Sequence, residues 1–109
     1  MKKTILIDLD GVLNEYKGNY DENYIPPIRN GAKEFIKKLS DNFKTKIFTT
    51  RPIEQASEWI EFNKLNPYIS GITDKKEPAY LLIDDRCINF DGDYKKTLEQ
   101  IENFKVWYR

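Results

Sequence analysis

The chain has 109 residues, 39% of them hydrophobic and 33% charged, which describes one soluble globular domain with a modest core. Eighteen basic and eighteen acidic residues cancel, so the net charge points to neither a nucleic-acid nor a membrane surface, although nucleic acid is not excluded. With no histidine and one cysteine, the sequence excludes Ser-His-Asp and Cys-His catalysis, histidine-ligated zinc and an internal disulfide framework.

The opening Met1-Lys2-Lys3-Thr4 is basic like the start of a signal peptide, but the apolar run that follows is broken at Asp8, too early for a targeting core. No apolar stretch is long enough to cross a bilayer, and a cytoplasmic location is expected. The run Ile5-Leu6-Ile7 is continuously apolar, which predicts a strand buried on both faces. Asp8 and Asp10 fall at its carboxyl end, where an open parallel sheet keeps its ligand crevice, and Gly11 permits a sharp turn there. Two acids so close repel unless one is protonated or a cation joins them. The available ligands are oxygens, which favour Mg²⁺ over zinc or copper.

Residues 14–30 are polar, tyrosine-rich and irregular, too short for a second domain and long enough for a flap over a crevice. Ala32, Phe35, Ile36 and Leu39 repeat at helical spacing. Residues 46–50 read as a second strand ending in Thr49 and Thr50, and Arg51-Pro52 leads into a helix that buries Ile53, Ala56, Trp59 and Ile60. Ile69 to Thr73 is a weak strand broken by Gly71. A charged connector holding Lys75 and Lys76 precedes the strand Tyr80-Leu81-Leu82-Ile83, which ends in Asp84-Asp85-Arg86. Cys87 reads as a small buried residue and Arg86 as structural. Asp91-Gly92-Asp93 offers an N-cap for a last helix that buries Leu98 and Ile101, and residues 105–108 suggest an edge strand.

Three strands thus deliver polar residues at their carboxyl ends, and strand–helix alternation places those ends on one edge of a parallel sheet. The pattern resembles the haloacid dehalogenase (HAD) superfamily of phosphohydrolases, in a small form without a cap. Asp8-Leu9-Asp10-Gly11-Val12-Leu13 matches its first motif throughout, and Thr49 within Thr-Thr-Arg-Pro matches the second. Lys76 (or Lys75) matches the third, and Ile83-Asp84-Asp85-Arg86 the fourth. The resemblance implies a single α/β domain over residues 1–109, a Rossmann-like three-layer sandwich around a mostly parallel sheet. It implies that Asp8 is the nucleophile that becomes an aspartyl-phosphate, and that Asp10 is the acid and base. Mg²⁺ would be held by the Asp8 carboxylate, the Asp10 backbone carbonyl and one acid of the Asp84-Asp85 pair, with Asp85 as the direct ligand and Asp84 behind it, or the reverse. Thr49, Thr50, Lys76 and Arg51 would bind phosphate, with a salt bridge to the acids as the other role open to Arg51. The expected partner is a phosphorylated small molecule, nucleotide or macromolecular end. Oligomerisation is one way to cover a capless site, and Tyr16, Tyr20 and Tyr24 either stack on a base or anchor their loop. Two other readings stand beside this one: a catalytically silent phosphate- or nucleotide-binding module, and a receiver-like phosphoacceptor domain. The order of motifs, with the lysine before the last acidic strand, disfavours the receiver.

Overall fold

In the computed structural model, which describes residues 2–107, the first strand is covered on both faces, with Ile5, Leu6 and Ile7 each at most 2% exposed. This strand, β1 (Lys3–Asp8), lies inside an all-parallel sheet with β2 (Phe43–Phe48), β3 (Gly71–Thr73) and β4 (Leu81–Ile83), in the order β3-β2-β1-β4. The register pairs Asp8 with Phe48 and Ile7 with Ile83. Asp8, Thr49 and Asp84 therefore emerge at neighbouring levels of one sheet edge. Helix α1 (Ala32–Ser40) packs on β2 through Ala32 and Ile36, and α2 (Ile53–Phe62) packs on β3 through Ala56, Trp59 and Ile60. With Ile7, Leu9, Leu13, Ile47 and Leu65 these side chains form one core. The architecture is α/β and Rossmann-like, with four parallel strands and three α-helices among the described residues.

Residues 14–30 are tied down at their base and along one side. Asn14 and Ile28 form an antiparallel bridge, and Glu15 N–H donates to the Pro27 carbonyl at 2.9 Å. Trp59 Nε1 and Gln55 Nε2, both on α2, donate to the Pro26 and Glu22 carbonyls at 3.1 and 2.8 Å. Trp59 thus belongs to the core while its ring N–H seats the loop.

Several expectations require correction. The last helix, α3 (Tyr94–Glu102), is capped by Asp93, whose side chain accepts from Lys96 N–H at 3.0 Å, but it buries no residue. Leu98 and Ile101 are 64% and 57% exposed, because no described element packs over their stripe. Ile53, at the first turn of α2, is also exposed. Cys87 is exposed, since the connection between β4 and α3 runs along the surface. Gly71 begins β3 and does not break it. Lys105–Trp107 form no strand, and Tyr108 lies outside the described residues. The Trp107 indole N–H donates to the Gly11 carbonyl and its ring carries the Arg29 guanidinium at 3.8 Å, which draws this segment toward the turn after β1 and away from the sheet.

Candidate active site

Beyond Asp8 the chain leaves the strand at once. Leu13 N–H bonds the Leu9 carbonyl at 3.0 Å, and Gly11 adopts φ +87°, a left-handed conformation that suits glycine. Space demands glycine there as well. A Cβ at this position would lie 2.7 Å from Asp85 Cγ and closer still to Oδ2. The turn and the fourth-motif acid are therefore packed against each other.

The turn also separates the two first-motif carboxylates. Asp8 faces Asp84 and Asp85, and one oxygen from each of the three lies within 4.8 Å of the others. Burial, a hydrogen bond with Asp85 and repulsion from Asp84, Asp85 and Asp10 push the Asp8 carboxyl up to about 9. Asp85 Oδ2 is buried with no protein partner. An all-oxygen donor set, a surplus of negative charge and an orphaned buried oxygen are what a hard divalent cation satisfies, so these residues fit Mg²⁺.

Asp10 is held elsewhere. Arg51 Nε donates to its Oδ2 at 2.8 Å and Nη2 to its Oδ1 at 3.1 Å, a bidentate clasp by a guanidinium that is itself 1% exposed. Asn14 Nδ2 donates to Asp10 Oδ1 at 3.0 Å, while Asn14 Oδ1 accepts from the Gly11 and Tyr16 N–H groups. Arg51 also donates through Nη1 to the Asp21 carbonyl at 3.0 Å and stacks on the Tyr20 ring at 4.7 Å. One buried cation thereby joins the start of α2, the turn after β1 and the tyrosine-rich loop.

A cleft of about 280 Å³ opens over the sheet edge. Its lining brings together Asp8, Asp10, Thr49, Thr50, Asp84 and Asp85, all named from the sequence, with Tyr16, Tyr20, Phe48 and Arg86. Thr49 is buried, and its Oγ1 accepts from Arg51 N–H at 3.2 Å. Thr50 stands exposed at the wall. Lys75 and Lys76 are exposed and line no part of this cleft, and the neighbouring Glu77 is pinned to Lys46 at 2.6 Å. Tyr24 also lies outside the lining. Sequence reasoning missed Asn14 and passed over Arg86. Asn14 carried a signal: a polar residue four beyond Asp10 and next to Leu13, hence one turn above the acid if the chain coils there.

A parallel sheet whose inner strand β1 ends in a carboxylate, with an acid pair and a buried threonine on the same open cleft, is the arrangement expected of a HAD-like fold. The chain belongs to the NLI interacting factor-like phosphatase family, whose model matches residues 3–106. The fold is also that of a solved structure titled as a conserved protein from Bacteroides thetaiotaomicron, with 23% identity and a TM-score of 0.63. That similarity covers 98% of this chain and 95% of the other. No curated protein matches the sequence. Among the described residues no helix is long and apolar enough to cross a membrane.

Proposed function

We propose that this protein is a Mg²⁺-dependent phosphomonoesterase that works through an aspartyl-phosphate on Asp8. The observation that carries the reading is the convergence of Asp8, Asp84 and Asp85 at the sheet edge, with a buried Asp85 oxygen left unpartnered. The Asp8, Asp84 and Asp85 carboxylates, with the Asp10 backbone carbonyl, would hold the ion, which when bound neutralises charge on the nucleophile and on the phosphoryl oxygens.

Asp8, which would release its own proton to solvent when the ion is held, attacks phosphorus as a carboxylate while the bond to the ester oxygen breaks, and that oxygen takes a proton that Asp10 has first picked up from solvent. To deliver it, Asp10 exchanges one of its Arg51 hydrogen bonds for the leaving oxygen. Water then attacks the acyl phosphate, Asp10 accepts its proton, inorganic phosphate departs and Asp8 is restored. Asn14 and Arg51 keep Asp10 on its station between the steps. Thr49 Oγ1 accepts from the Arg51 backbone, which leaves its hydroxyl proton free to meet a phosphoryl oxygen, with Thr50 beside it. Lys76, which lies outside the cleft lining, would supply the motif cation by swinging in from its exposed connector, and Arg86 adds charge at the cleft wall.

Residues 14–30 serve as the flap of a single capless domain, and the open cleft suits accessible phosphates, nucleotide monophosphates and phosphorylated macromolecular ends among them. Tyr16 and Tyr20 at the wall favour a base or other ring next to the phosphate. The single exposed Cys87 suits a reducing, cytoplasmic setting. Release of phosphate from a chromogenic aryl phosphate, with Mg²⁺ and with chelator, tests the reading. Turnover that needs metal and vanishes in Asp8→Asn supports it. Phosphate binding without turnover, across a panel of nucleotides, sugar phosphates and phosphorylated ends, favours the silent binding module.

A further inference from the structure

Helix α3 presents an amphipathic stripe to solvent. Tyr94, Leu98 and Ile101, at i, i+4 and i+7, are 78%, 64% and 57% exposed. The stripe continues at both ends: the Phe90 ring packs on Tyr94 with centroids 5.1 Å apart, and Phe104 shares a groove with Ile101. Phe90 and Phe104 are 49% and 39% exposed. Side chains of this size at these exposures offer on the order of 550 Å² of apolar surface. That is at the upper end of the patches monomers carry, and close to the apolar share of one side of a standard interface of about 800 Å². The helix itself asks for a cover. Isolated helices shorter than about 12 residues are marginal in water, and α3 has nine residues, none of them buried.

The charges beside the stripe say what covers it. Lys95 and Glu102 are seven residues apart and flank the same edge of the stripe, and among the described residues neither takes part in an ion pair. Lys96, by contrast, is committed to Asp91 within its own chain at 2.8 Å. Lay a second α3 antiparallel on the first, with Leu98 at the crossing. Each Lys95 then meets the Glu102 of the other copy, and Tyr94 falls beside Ile101. A parallel pairing would carry that edge to opposite sides of the pair, so that neither Lys95 could reach the Glu102 of the other copy. The surface is self-complementary under a two-fold axis, the requirement of an isologous dimer.

We propose that the protein forms a two-fold dimer through antiparallel packing of α3 on α3, centred on Leu98. The interface reaches the edge of the catalytic cleft, because Arg86 lines both the cleft and the groove between Ile101 and Phe104.

Sedimentation equilibrium of the full chain at micromolar concentration tests this. The wild type is expected to sediment at twice the chain mass, and Leu98→Asp at the chain mass. Lys95→Glu and Glu102→Lys should each weaken association by about tenfold, since each breaks two pairs and creates two repulsions. The double variant Lys95→Glu/Glu102→Lys should return to within about twofold of wild type. As all three positions are exposed, circular dichroism should show the fold retained, and the charge-swap series stands should Leu98→Asp unfold. Oxidation of Leu98→Cys in a Cys87→Ser background should link two chains, while Glu58→Cys on α2 should not. A monomer at every concentration overturns the proposal, including one that binds a different apolar partner on α3. So does a dimer that survives Leu98→Asp, or a double charge swap that stays as weak as the single changes.

Discussion

Replacing Asp8 by asparagine should abolish turnover and stabilise the metal-free protein. The folded protein holds the Asp8 proton up to about pH 9, whereas the unfolded chain releases it near 3.9. Between those values the folded state carries the extra proton. Its advantage is complete below the unfolded value and is lost as pH rises toward about 9. One proton gives at most about 1.4 kcal/mol per pH unit. From pH 5 to pH 8 the ceiling is about 4 kcal/mol, and the opening of the Asp8 carboxyl to the cleft brings the expectation to roughly 2–3 kcal/mol. Asparagine keeps the shape and has no charge to bury. Urea titrations in chelator across this range should therefore show a falling midpoint for the wild type and a much flatter one for Asp8→Asn. The variant should be the more stable at pH 8, and millimolar Mg²⁺ should flatten the wild-type profile. A wild-type stability in chelator that does not fall with pH, or an Asp8→Asn protein less stable at pH 8, would refute the view that the acid cluster is unstable without a cation.

Arg51→Met should strand the Asp10 carboxylate and cost about 3 kcal/mol in urea denaturation, because removing one partner of a buried pair leaves the other charge uncompensated. A loss below about 1 kcal/mol would show that the clasp is not a structural bond. Gly11→Ala places a methyl against the Asp85 carboxylate at a positive φ, at a cost of about 1–2 kcal/mol. Calorimetric titration should find Mg²⁺ bound at least tenfold more weakly, and unchanged affinity would remove Asp85 from the ion site. Lys76→Ala should lower kcat/KM by about tenfold or more, by the magnitude of lost transition-state contacts to charge. Full activity in that variant, with a loss in Arg86→Ala, would transfer the phosphate-binding charge to Arg86.

Much of the site was legible because a parallel sheet converts sequence position into space. A residue just past a strand's end lies at the carboxyl edge, so Asp8, Thr49, Asp84 and Asp85 converge once the strands are recognised. Side-chain direction was less legible. Asp8 and Asp10 stand two residues apart at the end of one strand, yet the turn at Leu9–Leu13 sends Asp10 to Arg51, 41 residues away. A salt bridge from Arg51 to the acids was open from the sequence, but no local signature says that Asp10 is the acid it meets. Asn14 was hidden for the same reason, since its role depends on the turn. Periodicity identified α3 and its cap correctly but cannot say what covers a stripe, so Leu98 and Ile101 were read as core. Burial is decided by neighbours, and β4, the strand leading to α3, is a short edge strand with Leu81 and Leu82 still open to solvent.

The central claim is that phosphorus passes through Asp8. Asp10→Asn should retain the nucleophile while slowing hydrolysis of the intermediate, so acid quenching of that variant during turnover of an aryl phosphate should trap it. Mass spectrometry of the peptide spanning residues 4–17 should then show one added phosphoryl group on Asp8, absent when Asp8 is asparagine. Phosphate released at the wild-type rate with no phosphoryl group on that peptide, or with the group on another residue, would contradict the account.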